Sequence, residues 1–249
     1  MTAYSDIISV LRDEQNHNSR DWYMQNKEKY RAIHAFLSDL YFALGNRLRE
    51  NVNIDINPRK SISRPYNDQR FGNKPYLRDN LWVTFQTADC PAPAFFIEFS
   101  PYGIRMGMGY YAATPTQMRN LRAKIDHDPR GFSDVLEKTL QDKELRTMGE
   151  PYKKRYTSNY EGLMGEIYNY RNIYFQKVIP EVQWDNIEDI AYDTFLALIP
   201  MYKLFAEKKV EEMLFANMQH AEAVEQRWSL CMGELYQSAA VEIDCIPLF

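Results

Sequence analysis

No stretch of about 18 apolar residues, the length a bilayer-spanning helix needs, occurs anywhere in the 249-residue chain. Cysteine is scarce: Cys90, Cys231 and Cys245 are widely spaced and odd in number. That excludes a disulfide framework and fits reduced thiols in a soluble, cytoplasmic protein. The chain reaches Asp6 and Arg12 without an apolar segment, so no secretory leader is read at its start. His17, His34, His127 and His220 show no paired spacing with one another or with the cysteines. No metal site is therefore expected, and no cofactor. Gly-Met-Gly at 107–109 has Ala112 where a dinucleotide fingerprint would place its third glycine, and neither a Walker lysine motif nor a Gly-x-Ser-x-Gly elbow is present.

What is present is ample for a packed core, with 45% apolar residues and 14% aromatics. The formal net charge of -4 argues against a dedicated nucleic-acid binder. The charge is uneven, however. Residues 180–249 hold 13 acids and 4 bases, a balance of -9, which leaves +5 on residues 1–179. A locally basic surface on an acidic chain is the consequence.

Hydrophobic periodicity divides the chain. Ile7, Ile8 and Leu11 mark a short helix over 4–14, and Asn18 or Ser19 can cap the next. Trp22, Tyr30, Ile33, Leu37, Leu40, Leu44 and Leu48 recur mostly at steps of three and four, predicting a helix over about 20–50 with Trp22 as a core anchor. Val52, Ile54 and Ile56 alternate and predict a strand. The period is two again in 81–87, 94–100 and 104–110, which predicts an antiparallel meander with Trp82, Phe96 and Phe99 in or beside the core. Gly107 and Gly109 inside its last strand point to a bulge or a close backbone approach. Thr114-Pro115 opens a helix buried through Met118, Leu121 and Ile125 and ended by Asp128-Pro129. Phe132, Val135, Leu136 and Leu140 mark another, and a polar loop with Lys153-Lys154-Arg155 follows. A strand over 172–179, with Ile173 and Phe175 on one face, precedes helix from Ile187 onward, which Pro200 is expected to kink or break. Val210, Leu214, Asn217, Ala221, Val224, Trp228, Cys231 and Leu235 follow a heptad spacing. That seam reads either as a long helix packed on its own domain or as a homo-oligomer contact through 210–235.

The stretch Asn57 to Asp79 organises the rest. Arg59, Lys60, Arg64, Arg70, Lys74 and Arg78 face only Asp68 and Asp79, and Tyr66, Phe71 and Tyr76 are interleaved with them. Pro58, Pro65, Pro75 and Gly72 exclude a long helix. Linkers lack aromatic anchors, so this is a loop pinned to the fold. The candidate ligand-binding residues are Arg64, Tyr66, Asp68, Arg70, Lys74, Tyr76 and Arg78: guanidinium forks suit phosphate or carboxylate, and the tyrosines offer hydroxyls or stacking faces. The competing expectation is an internal network in which Arg64 and Arg70 pair with Asp68, Asp79 or Glu98.

At these residues the chain resembles a family. Asn18-x-x-x-Trp22-Tyr23-x-x-Asn26-Lys27-x-x-Tyr30 and Arg64-x-x-x-Asp68-x-Arg70-Phe71-x-x-x-Pro75-Tyr76 are similar to motifs of the bacterial and fungal domain of unknown function 2461. Gly107-x-Gly109-Tyr110-Tyr111, Met118-x-x-Leu121-Arg122-x-x-Ile125 and Phe195-x-x-Leu198-x-Pro200 echo it further. Asn67 stands where the family pattern has a second arginine. The resemblance covers about residues 5–205 and implies no settled activity.

The expected fold is α+β: an antiparallel sheet, largely from 52–110, packed by the 20–50 helix and later helices. A single domain over 1–205 would carry a helical extension over 206–249. Three functions compete: a domain binding an anionic (phosphorylated) small molecule at 64–78; an enzyme in the same pocket with Asp68 or Glu98 as general base and Arg70 stabilising negative charge; and a purely structural or interaction module.

Overall fold

A computed structural model describes residues 4–57, 61–70, 74–87, 93–142, 144–156 and 158–206. The heptad seam at 210–235 and the proposed extension lie outside the described residues. The elements run α1 (Tyr4–Glu14), α2 (Arg20–Gln25), α3 (Lys27–Val52), β1 (Ser61–Ile62), β2 (Leu81–Phe85), β3 (Ala94–Ser100), β4 (Gly103–Tyr110), α4 (Pro115–His127), α5 (Pro129–Thr139), β5 (Arg146–Met148), α6 (Gly162–Tyr168), β6 (Ile173–Ile179), a 3₁₀ turn (Glu181–Asn186) and α7 (Ile187–Ala206). The sheet has the order β1-β2-β3-β4-β6-β5, every pair antiparallel. The class is α+β. Among the described residues no helix is long and apolar enough to cross a membrane.

Alternation sorts the side chains of the sheet. Val83, Phe85, Phe95, Ile97, Phe99, Met106, Met108 and Phe175 lie on the inner face and are fully buried. Helices close over that face: Ile7, Ile8 and Leu11 of α1, Leu37, Leu44 and Leu48 of α3, and Phe195, Leu198 and Met201 of α7 share the same core. Phe195 packs its ring on both Phe85 and Phe95, at 5.4 and 4.9 Å.

The register in turn puts Thr84, Phe96, Gly107 and Gln176 in one row of the opposite face, and Trp82, Glu98, Arg105 and Val178 in the next. Phe99 is buried as expected, but Phe96 and Trp82 are only half-buried. Urea melts should therefore find that Phe96→Ala costs about 1 kcal/mol, well below the roughly 3–5 kcal/mol of truncating a fully buried phenylalanine. A loss in that upper range would place the outer face in a core.

Three expectations are corrected. Val52, Ile54 and Ile56 form no strand: Val52 ends α3, Asn53 adopts the left-handed conformation at φ 55°, and the amides of Asn53 and Ile54 turn back to Arg49 and Leu48. Only Ile56 pairs, in a single bridge to Thr87. The helix over 20–50 is two helices, divided at Asn26, whose side chain donates to the Trp22 carbonyl. Of the kink or break expected at Pro200, the break is excluded, since α7 continues through it to Ala206.

Candidate functional site

The stretch after β1 folds back on itself. Tyr66 bridges Leu77, the Asn67 amide donates to the Tyr76 carbonyl, and the Arg78 amide donates to Pro65. Both strands of this irregular hairpin are then clamped from the side. Asn18, on the turn between α1 and α2, donates through Nδ2 to the Leu77 carbonyl and accepts the Leu77 amide, at 3.1 and 2.7 Å. The Asn67 side chain donates to the carbonyls of Pro75 and Leu77. A proline-rich segment has few amides of its own for a ladder, so side-chain amides supply the missing partners. The loop is thus pinned to the fold, as its composition implies.

This folding brings Tyr66 and Tyr76 side by side, ring centres 6.0 Å apart. Tyr23 of α2 meets both, at 5.4 and 6.2 Å. Burial, with the two tyrosines beside it, raises the pKa of Tyr23, so its phenol presents a neutral O–H near pH 7.

The cations have different fates. Arg70 pairs with Asp68 through Nε and Nη2, at 3.0 and 2.6 Å, and its amide also donates to Asp68. Arg70 makes this pair at the surface: its side chain is 80% exposed. The Arg70 side chain and amide hold Asp68 below the usual carboxylate range. Arg78 lays its guanidinium over the Trp82 indole, 4.8 Å from the ring centre, and its buried Nε has no acceptor among the described residues. Arg64 and Lys74 are exposed. Arg59, Lys60, Phe71 and Gly72 lie outside the described residues.

Both proposed general bases already accept from arginines. Asp68 serves Arg70, while Glu98 receives Nε and Nη2 of Arg105, both at 2.9 Å, across β3 and β4. Glu98 lines a cavity of about 350 Å³ with Asp79, Asn80 and Arg105, and Asp68 is not part of its wall. Among the described residues no group of three histidine, cysteine, aspartate or glutamate side chains is placed to hold a metal.

Glu14 is the residue that sequence reasoning missed. It ends α1 at 2% exposure, with Tyr30 of α3 donating to Oε1 and no donor at Oε2. Burial pushes its pKa up to about 7, against the opposing hydrogen bond. The same burial and the same carboxyl raise the pKa of Tyr30, whose ring lies 5.1 Å from Tyr23. A buried acid thus stands behind the tyrosine cluster. The signal was available: Glu14 falls three residues after Leu11 on the stripe of Ile7, Ile8 and Leu11.

A family model described as conserved hypothetical protein (DUF2461) matches residues 6–204. No curated protein and no solved structure matches the chain.

Proposed function

Because the chain belongs to the DUF2461 family of conserved hypothetical proteins, its function has to be argued from the site rather than from the fold, and we propose that it is a binding domain for an anionic small molecule at the stretch 64–78. The observation that carries this reading is the uneven pairing of the stretch. Arg70 is neutralised by Asp68, whereas Arg64, Lys74 and Arg78 have no carboxylate within ion-pair distance among the described residues. Those three cations are carried on a loop whose backbone is already fixed by Asn18 and Asn67. Preorganisation of this kind lowers the ordering cost of binding, and the Tyr66 and Tyr76 rings beside them supply flat faces and hydroxyls.

Sulfate is a sufficient probe, since a ligand that binds only the native state raises its melting temperature. Sulfate should raise the melting temperature of the parent more than that of Arg64→Ala, Lys74→Ala or Arg78→Ala. Arg70→Ala, which removes a charge already matched locally, should keep most of the response. Equal sulfate responses in the parent and all four variants would defeat the anion site.

Catalysis at the same place is the second reading, and Glu14 favours it over the carboxylates first considered. An acid with a pKa near 7 is half-protonated at neutral pH and suits proton transfer, whereas Asp68 and Glu98 are tied to arginines. If Glu14 works with a ligand on the tyrosines, binding should take up or release a proton near pH 7. Calorimetry in two buffers of different ionisation enthalpy reads this, and a heat independent of buffer leaves the binding reading alone.

A further inference from the structure

A second group of cations lies in residues outside the stretch 64–78, and beside its tyrosines is a buried arginine with no carboxylate within ion-pair distance among the described residues. Arg122 of α4 is 7% exposed. Among the described residues its buried Nη1 has no acceptor, and its one side-chain hydrogen bond is a long one of 3.5 Å to the Tyr156 hydroxyl. The guanidinium instead rests on aromatic faces, 4.1 Å from the Tyr156 ring centre and 5.7 Å from that of Tyr152. The acid one turn along the same helix is not its partner: Asp126 accepts the hydroxyls of Tyr160 and Tyr168, one on each oxygen, both at 3.0 Å. Taking a guanidinium out of water without a carboxylate is costly, and π faces return only part of that cost.

The two tyrosines that hold Arg122 also line a cleft of about 940 Å³, together with Lys153, Lys154, Arg155 and Arg171. Among the described residues Glu150 is the one carboxylate in its wall, and Arg171 occupies it. Lys153, Lys154 and Arg155 are exposed and have no acid within ion-pair distance among the described residues. The loop that carries them is held at both ends. Tyr152 donates its amide to the Asn169 carbonyl and Tyr156 its amide to Asn169 Oδ1, while Asn169 is itself buried and fixed to Gly165. On the other side the Arg171 amide donates to the Glu150 carbonyl, the Glu150 amide donates to Asn172, and Pro151 bridges Tyr170.

We propose that this cleft, walled by residues 150–156 and Arg171 and with the buried Arg122 against its two tyrosines, binds a phosphorylated small molecule of the nucleoside phosphate class. Phosphate oxygens satisfy guanidinium and ammonium donors through charge-assisted bonds. The exposed part of the Tyr152 and Tyr156 rings offers a planar base a stacking surface beside those charges. The cleft falls in the size range of small-molecule sites. It draws on none of the residues of the stretch 64–78, so the two sites stand or fall separately.

Calorimetric titration of the full chain with inorganic pyrophosphate, adenosine 5′-diphosphate and adenosine tests this. The diphosphate should bind, pyrophosphate about tenfold more weakly for want of a base to stack, and adenosine most weakly of the three. The double variant Lys153→Ala/Lys154→Ala should weaken both phosphates at least about tenfold, while Lys138→Ala, an exposed cation of α5 outside both sites, leaves them unchanged. Arg122→Met keeps the length of the side chain and removes the charge. It should weaken pyrophosphate binding at least about tenfold while the melting temperature without ligand stays level or rises, a readout that a bracing role for Arg122 would reverse. The proposal is overturned by absent heat with both phosphates, by equal affinity in the double variant, or by binding of single-stranded oligoadenylate without binding of the diphosphate.

Discussion

Gly107→Ala should unfold the protein or cost it at least about 4–5 kcal/mol, the upper end of what single substitutions do. Gly107 sits in β4, between Phe96 of β3 and Gln176 of β6. A Cβ there would stand 1.8 Å from the Phe175 carbonyl oxygen, 2.8 Å from the Phe175 carbonyl carbon and 2.9 Å from the Gln176 Cα. All three atoms are backbone, so no side chain can rotate out of the way. β4 and β6 would have to part, and β5 is attached to the sheet only through β6. Against a typical total stability of about 5–15 kcal/mol, that loss takes away much or all of the fold. Gly162→Ala is the control. Gly162 has φ 57° but no atom within 4 Å of an added Cβ, so it should lose only the roughly 1–2 kcal/mol of a left-handed conformation. Urea midpoints of the two variants decide the matter, and equal midpoints would mean that β4 and β6 do not approach as described.

The close approach at Gly107 was legible as a glycine inside a strand, though not the atom it meets. The same division holds elsewhere. α1, α3 and the meander β2-β3-β4 follow from period alone, and Thr114 forms the full capping box with Gln117. β6 was legible from Ile173 and Phe175. Its place beside β4 was not, because α4, α5, β5 and α6 intervene and no local pattern encodes so long a connection. Val52, Ile54 and Ile56 misled because Asn53 adopts a left-handed cap, a conformation that costs asparagine little. In the site, prolines and tyrosines revealed a pinned loop, but pairing depends on distances. Arg70 chose the acid two residues before it, and Glu98 the arginine opposite it on β4. Glu14 and Arg122 stayed hidden for a common reason. Each is a charged residue on the buried side of an amphipathic helix, where a sequence reading assumes a solvated side chain.

Glu14 gives the chain a stability that depends on pH. Its pKa is about 7 in the folded protein against 4.5 ordinarily, because burial outweighs the hydrogen bond from Tyr30. Between these values the folded state keeps a proton that the unfolded chain has released. Unfolding then becomes easier as pH rises. The contribution of the protonated acid is full below about pH 4.5, fades up to about pH 7 and is gone above it. The span corresponds to about 3 kcal/mol. Tyr30 does not titrate in this window, since its own pKa is raised. Glu14→Gln keeps the shape and an acceptor for the Tyr30 hydroxyl while abolishing the titration. The variant should match the parent near pH 4.5 and exceed it by about 3 kcal/mol near pH 8 in urea melts. Taking the difference between the two proteins cancels every other titrating group. Tyr30→Phe supplies the converse: without the hydrogen bond that lowers its pKa, Glu14 should hold its proton to a higher pH, and the window should move up. Parallel stability profiles for the parent and Glu14→Gln would mean that this carboxyl is solvated in the native state and does not stand behind the tyrosines as a buried acid.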